Sequence, residues 1–581
     1  MRYQVMATDY DGTIATHGVV DDDTVGALER LRKSGRRIVL VTGRELDDLL
    51  QVFPHCALFD RIVAENGAIV YNPADRSITQ LGEPPPAALV DALRARGVQP
   101  LSVGHVIVSS WEPNEAAVLD EIRRLGLELQ VIFNKGAVMV LPSGINKASG
   151  LVAALVQLSL SPRNAIGVGD AENDHAFLNI CECAVAVANA LPTLKARADM
   201  VTNGARGAGV VELVDHVLAS DLADVVPMRE RRPLTIGESR EGPLTAPLYG
   251  NTVLICGRSG SGKSTLATAM LEQLAAYGYQ FCLIDPEGDF SALEHAIVLG
   301  DAQRAPSASE MLDVLSHAEQ NLVLCLLGLP LDDRPAYFQQ LLSHLMAFRG
   351  RVARPHWLVL DEAHHLLPAT WSPPHDGAVP ALETALLITV HPEQVAPSVL
   401  PQVDLLIAVG PAPDESIDAF AEALGTAVPN RPERQEGEAL VWRLPDGDVA
   451  AVRLEVPHGE RQRHRRKYAE GTLGADKSFY FTGPEHRLNL RAQNLAMFTQ
   501  IADGIDDDTW LHHLRRGDYS HWVRDAIKDG EMAEEVAAIE RGVHMSVAET
   551  RTAVIDAINR RYASSATGTS SGGQSPRNRD S

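Results

Sequence analysis

The sequence predicts an α/β protein: a Rossmann-like first domain carrying a small α+β cap, a second α/β domain built on a phosphate-cradling loop, and a small helical domain towards the C-terminus. Three observations predict this. Short apolar runs ending in acidic or hydroxyl residues alternate with stretches of helical periodicity, which is the pattern of parallel strands joined by helices. A glycine-rich segment at residues 257–264 lies between one such run and a helical stretch. From about residue 470 the apolar and charged residues recur at helical spacing.

The chain of 581 residues suggests about three or four domains at roughly 100–200 residues each. The expected limits are 1–220 for the first domain, with its cap at about 80–143, then a linker at 221–235 and the second domain at 236–457. A basic linker at 458–469, a helical domain at 470–563 and a tail at 564–581 follow. With 45% hydrophobic and 22% charged residues the composition is globular. Only the Ser- and Gly-rich tail reads as disordered. A net charge of −24, from 52 basic and 76 acidic residues, argues against a chain that coats nucleic acid or anionic membrane. A nucleic-acid partner stays possible but is not indicated by charge. Two basic clusters, Arg229, Arg231 and Arg232, then Arg461, Arg463, Arg465, Arg466 and Lys467, fall at the expected joints and read as solvated linkers. Cys256, Cys282 and Cys325 lie in apolar runs, and the Cys181/Cys183 spacing does not suit a zinc knuckle, so the six cysteines read as buried thiols in a reducing compartment. Met1 leads straight into an expected strand and no apolar run reaches about 18 residues, which predicts a cytoplasmic protein with no membrane partner.

In the first domain, YQVMATDYDGT is a strand delivering Asp9 and Asp11 on the same side. One carboxylate can attack phosphorus while the other handles the leaving-group proton. By itself the string also suits a calcium loop or a turn. RRIVLVTGR is a second strand ending at Thr42, whose hydroxyl can hold a phosphoryl oxygen, and GINKASGLVAAL places Lys147 at the start of a helix, where its ammonium can neutralise nucleophile and phosphate. NAIGVGDAENDHAFL ends a third strand with Asp170 and Asp174, hard oxygen ligands suited to Mg2+.

These four elements, in this order, resemble the haloacid dehalogenase (HAD) superfamily, in particular its Cof-like capped phosphatases, over about residues 1–215 and including ENGA at 65–68 and AVANA at 186–190. The resemblance implies that Asp9 is the nucleophile, that Asp11 is the general acid and base, and that Thr42 and Lys147 hold the phosphoryl group. It implies Mg2+ on Asp170, Asp9 and a backbone carbonyl, with Asp174 in outer support; Asp9, Asp11, Asp170 and Asp174 are the candidate metal-site residues. The short cap is similar to those of phosphoglycolate and sugar-phosphate phosphatases, implying a small phosphorylated metabolite as substrate.

In the second domain, LYGNTVLICGRSGSGKSTLATAMLEQL fits GxxxxGK[ST] with Gly257, Gly262, Lys263 and Ser264; Gly260 and Thr265 complete the candidate ATP-binding loop. Glycines let backbone N–H groups wrap a phosphate, the helix start favours anions, and Lys263 reaches the terminal phosphates. PHWLVLDEAHHLLP ends a strand at Asp361, placed to hold Mg2+ with Ser264, and Glu362, placed to polarise the attacking water. His364 and His365 read as helix-start residues. With DPEGD at 285–289 and a strand ending near Thr389 and His391, this part resembles the HerA and FtsK superfamily of P-loop ATPases. In that resemblance His391 or Gln394 would serve as the polar sensor, and Arg351 and Arg354 are candidate arginine fingers. Oligomerisation through this domain is a possible consequence.

In the third region Asp508 or Thr509 is expected to cap a helix bearing Trp510, with Trp510, Tyr519 and Trp522 as core aromatics and His512, His513 and His521 structural. The combined expectation is a Mg2+-dependent phosphatase fused to an ATPase. Two alternatives remain at this point: a nucleic-acid-translocating motor with an accessory phosphatase, and a switch in which ATP gates the phosphatase.

Overall fold

The computed structural model describes residues 1–225, 234–371, 382–444, 447–455, 473, 477–484, 488–527, 529–542 and 545–562. Both basic clusters and the tail lie outside the described residues. Two compact units emerge, Met1–Glu455 and Val456–Ser581.

The first sheet holds eight strands. In chain order they are β1 (Val5–Thr8), β2 (Arg37–Val41), β3 (Arg61–Ala64), β4 (Ile69–Asn72) and β5 (Ser77–Gln80), then, beyond the cap strands β6–β9, β10 (Ala165–Gly169), β11 (Cys183–Ala186) and β12 (Met200–Val201). Their spatial order is β12-β11-β10-β1-β2-β3-β4-β5. β1 lies between β10 and β2, parallel to both, with Thr8 level with Val168 and Leu40. Helices cover both faces, so Met6, Val39, Leu40, Ile166 and Val168 are all buried, and such strands read as unbroken apolar runs. Chain order reverses at β1. Side chains that follow the carboxyl ends of β1, β2 and β10 therefore meet in one crevice, as expected at a topological switch point.

The cap is a four-stranded antiparallel sheet, β6 (Leu101–Val103), β7 (Val108–Trp111), β8 (Leu129–Asn134) and β9 (Ala137–Pro142), ordered β6-β7-β9-β8. Helices Ala87–Ala95 and Glu115–Arg124 cover it, sharing a core of Leu89, Leu93, Val118, Ile122, Val138 and Val140.

The second sheet has eleven strands: β13 (Leu234–Ser239), β14 (Gly242–Ala246), β15 (Thr252–Cys256), β16 (Phe281–Asp285), β17 (Ala296–Leu299), β18 (Asn321–Cys325), β19 (Trp357–Leu360), β20 (Ala385–Thr389), β21 (Leu405–Ala408), β22 (Ala439–Arg443) and β23 (Val449–Leu454). Their order is β14-β13-β23-β22-β21-β15-β20-β19-β16-β18-β17. β13 begins two residues ahead of the expected start of this domain. The middle of the sheet is parallel, so β15, β20, β19 and β16 deliver their carboxyl ends side by side. Apolar cores cover both faces.

The two sheets are joined by polar contacts. His356 Nδ1 accepts the Gln280 N–H at 2.9 Å, which leaves the proton on Nε2, 3.2 Å from Asn164 Oδ1. Tyr279 donates to Glu182 at 2.7 Å, and Arg354 donates to the Ser159 carbonyl at 2.8 Å.

The second unit was expected to be helical and also contains a hairpin, β24 (Phe479–Phe481) paired with β25 (Leu490–Ala492). The helix carrying Trp510 spans Asp507–Arg516 and is capped by Asp506, whose carboxylate accepts the Thr509 N–H, rather than by Asp508 or Thr509. Asp507 and Asp508 fall inside the first turn, where their charge favours the helix dipole. Trp510, Tyr519 and Trp522 lie in the core as expected. His513 bridges Asp518 and the Thr482 N–H.

No helix among the described residues is long and apolar enough to cross a membrane. All six cysteines are free and buried.

Candidate active sites

At the first crevice, Asp9 follows β1 and is buried. Lys147 opens the helix Lys147–Gln157, whose start is fixed by Asn146: the Asn146 side chain accepts the N–H groups of Ala148 and Ser149, and Ser149 reciprocates. The cap aims the Lys147 ammonium at Asp9 Oδ1 and Asp174 Oδ1, each 2.6 Å away. Asp174 Oδ2 accepts the N–H groups of Asp170 and Ala171 at 2.8 and 2.9 Å, so both its oxygens are engaged. Thr13 donates to Asp9 Oδ2 at 3.1 Å.

Asp9, Asp170 and Asp174 bring carboxylate oxygens within 4.8 Å of one another. Gly12 makes this possible. Its φ of +92° is costly for any residue with a side chain, and a Cβ there would stand 2.3 Å from Asp170 Oδ2. Asn189 donates to the Gly12 carbonyl at 2.8 Å.

Burial, then the charge of Asp174, pushes the Asp9 carboxyl up to about 7 despite Lys147. Burial also raises Asp170. For Lys147 burial acts downward, but Asp174 and Asp9 outweigh it and hold the ammonium above its ordinary range.

Asp11 stands apart from the three carboxylates. Both its oxygens take Arg44, at 2.6 and 2.8 Å, and Arg44 also reaches Asp48 at 2.7 Å. The Asp11 side chain is drawn to Arg44, while its backbone carbonyl and Asp170 both lie within 3.1 Å of the Lys135 ammonium. Thr42 is buried beneath a cavity of about 610 Å³ that is shared with Asp9, Asp11 and Lys147 and roofed by Ser109, Trp111 and Lys135 of the cap.

At the second crevice, Gly257 leaves β15 with φ +151°, and a Cβ there would lie 2.3 Å from the Val409 carbonyl. Gly260 and Gly262 are also left-handed, which lets the loop coil back to the helix Lys263–Ala276 with Ser264 and Thr265 in its first turn. Lys263 is buried, and that burial lowers its pKa against the pull of Glu362 and Asp361. Asp361 and Glu362 follow β19. Burial raises both, Asp361 strongly, with Asp285 adding to its rise. Asp285 gathers the N–H groups of residues 287–290 and so folds the DPEGD turn.

The polar group at the β20 tip is Thr389, whose hydroxyl sits 3.0 Å from His364 Nδ1 and accepts the His391 N–H at 3.0 Å. The His391 ring turns instead to Glu393 at 3.0 Å. The arginine-finger reading of Arg354 is corrected: it is buried, bound to the carbonyls of Leu315 and Ser159, and precedes β19 at the edge opposite the loop. Arg351, exposed at the end of the helix Arg334–Val352, lies at that same edge.

A family model described as haloacid dehalogenase-like hydrolase matches residues 6–93 and 111–214. The phosphoglycolate phosphatase of Haloarcula marismortui is 30% identical over 218 residues, spanning 36% of this chain and 95% of that relative. The chain belongs to the haloacid dehalogenase-like hydrolases. Phosphoglycolate phosphatase 2 of Saccharolobus solfataricus is 29% identical over 234 residues, 38% of this chain and 95% of its own. A solved haloacid dehalogenase-like hydrolase from Bacteroides thetaiotaomicron aligns at 18% identity and TM-score 0.33, over 37% of this chain and 99% of its own. Residues 249–394 match an AAA domain. The chain thus joins a HAD phosphatase to an AAA-type P-loop ATPase.

Sequence reasoning missed several residues of the HAD crevice. Asn146, three residues before Ser149, was a readable cap. Asn189 lay inside the quoted AVANA run without a role. The pairing of Arg44 with Asp11, and of Lys135 with the Asp11 carbonyl and Asp170, gave no signal, because these partners lie 33, 124 and 35 positions apart along the chain and only the fold brings them together.

Proposed function

We propose that the HAD domain is a Mg2+-dependent phosphomonoesterase acting on a small phosphorylated metabolite such as phosphoglycolate or a sugar phosphate. The observation that carries this reading is Asp9, buried, held by Lys147, and opening with Asp11 and Thr42 onto the capped cavity. An oxygen-only donor set suits a hard cation. Asp9, Asp170 and the Asp11 carbonyl would hold it, since Asp174 has both oxygens engaged by Lys147 and the backbone. A cation bound there supplies charge neutralisation for the phosphoryl oxygens.

Asp9 attacks phosphorus in line, forming the aspartyl–phosphate bond as the ester P–O bond breaks. Asp11, having given up one of its two Arg44 bonds and taken a proton from solvent on the freed oxygen, passes that proton to the leaving oxygen. Asp11 then takes a proton from water, whose oxygen attacks phosphorus and releases Asp9 with inorganic phosphate. Thr42 and Lys147 hold the phosphoryl oxygens throughout. The names of the relatives favour phosphoglycolate among the candidate substrates.

In the ATPase domain, Gly257, Gly260, Gly262, Lys263, Ser264 and Thr265 bind the ATP phosphates. Ser264 and Asp361 would hold Mg2+, and Glu362 would polarise the attacking water. Glu362 Oε2 is buried, 3.5 Å from His364 Nδ1. A panel of phosphorylated metabolites, run with and without Mg2+ and ATP, tests both readings. Turnover of none of them by wild type would remove the phosphatase reading, and release of no phosphate from ATP would remove the other.

A further inference from the structure

Lys135 occupies the tip of the β8–β9 hairpin in the cap. Asn134 pairs with Ala137, so the loop is the two residues Lys135 and Gly136, with φ of +49° and +86°. Two left-handed residues make the type I′ turn, whose first position ordinarily goes to Asn, Asp or Gly because a longer side chain is strained there. Strain of this kind at the mouth of a site points to a role for the side chain. The ammonium reaches out of the cap to Asp170 Oδ1, Asp170 Oδ2 and the Asp11 carbonyl, at 3.1, 3.0 and 3.1 Å. These are the oxygens that Mg2+ would take, so lysine and cation exclude each other on them.

Two further cations line the cavity, and carboxylates fix both in position. Lys147 is 1% exposed between Asp9 and Asp174, and Arg44 holds Asp11 and Asp48. The Lys135 side chain is 46% exposed on a flexible stem and can change partners. The rest of the cap is fastened elsewhere. Glu65 accepts the N–H groups of His105, Val106 and Ile107 at 2.7–3.0 Å, and Glu45 accepts the hydroxyls of Ser102 and Ser109 at 2.8 and 3.0 Å. The β8–β9 tip can therefore let go of Asp170 while the β6–β7 side stays in place.

We propose that Lys135 competes with the divalent cation for Asp170 and the Asp11 carbonyl and, once displaced, pairs with a carboxylate on the leaving part of the substrate, which makes it the residue that selects carboxylate-bearing phosphomonoesters. The inference rests on the phosphatase reading above. Where an occupied state must be vacated before binding, apparent affinity falls by the fraction of protein left competent.

The test titrates MgCl2 into the full chain without ATP by calorimetry, for wild type, Lys135→Met and Lys135→Gly, with Asp170→Asn identifying the heat of this site. Lys135→Gly also relieves the turn, so it guards against a poorly folding methionine variant. Both variants should bind Mg2+ about fivefold more tightly, the factor expected if Lys135 holds the seat roughly four-fifths of the time. In turnover, Lys135→Met should raise KM for phosphoglycolate about tenfold with kcat little changed, and leave KM unaltered for ethylene glycol phosphate, whose leaving alcohol is uncharged. Unchanged or weaker Mg2+ binding in both variants overturns the inference, as does an equal effect on the two esters. Turnover of neither ester by wild type would strike at the phosphatase reading instead, and the calorimetry, which needs no turnover, would still decide the competition.

Discussion

Replacing Lys147 by Met keeps an unbranched side chain of similar length in the same slot and deletes only the charge. Its ammonium lies 2.6 Å from Asp9 and 2.6 Å from Asp174, and the three side chains are 1%, 6% and 0% exposed. Removing one partner from a buried ion pair costs about 3–5 kcal/mol. Relief is available through protonation: Asp9 already sits at about 7 with the lysine present, so without it the carboxyl takes a proton near neutral pH at little cost. The loss should therefore fall at the low end, about 3 kcal/mol, or roughly 6–12 °C in the melting of a domain of this size. Differential scanning calorimetry at pH 7 reads the shift. A double-mutant cycle isolates its cause, since Asp9→Asn removes one of the stranded charges and should shrink the effect of Lys147→Met. A Lys147→Met protein melting within about 2 °C of wild type would refute the view that this ammonium neutralises the crevice.

Asp9→Asn should abolish release of phosphate from phosphorylated metabolites and leave ATP turnover intact, while Lys263→Ala should do the converse; loss of both activities in either folded variant would contradict independent chemistry. Gly12→Ala should cost about 1–3 kcal/mol in urea unfolding, because φ is +92° and the new methyl would press on Asp170. His356 is buried and held well below its ordinary pKa of 6.5 by burial and by Arg354. The unfolded chain therefore binds the proton first, and stability should fall as pH drops below about 6.5, by up to about 1.4 kcal/mol per pH unit. Urea unfolding at pH 7.5 and 5.5 should show a flatter dependence in His356→Asn.

Much of both crevices was legible because parallel strands buried on two faces read as apolar runs, and the residue after each run is delivered to the crevice. That logic placed Asp9, Thr42, Asp170, Asp361 and the loop at 257–264 at strand ends. It cannot tell which way a side chain turns there, so the pairing of Asp11 with Arg44 and the place of Thr389 ahead of His391 were not readable. The hairpin at Phe479–Phe481 escaped because three residues are too few to separate a period of 2 from a helical one. Arg354 looked free as a charge in a polar stretch, and only the fold shows its two terminal nitrogens donating to the Leu315 and Ser159 carbonyls.

That seam of Asn164, Glu182, Tyr279, Arg354 and His356 bears on any attempt to work with either half alone. Cutting the polypeptide between the sheets would bare an uncharged imidazole, a guanidinium and a carboxylate whose partners across the seam are Asn164, the Ser159 carbonyl and Tyr279, and the freed imidazole would regain its ordinary affinity for protons. Excised halves should thus be stickier than the parent and less dependent on acid for their stability, since a freed imidazole binds protons alike in the folded and unfolded chain, so their separate properties would misreport those of the joined enzyme.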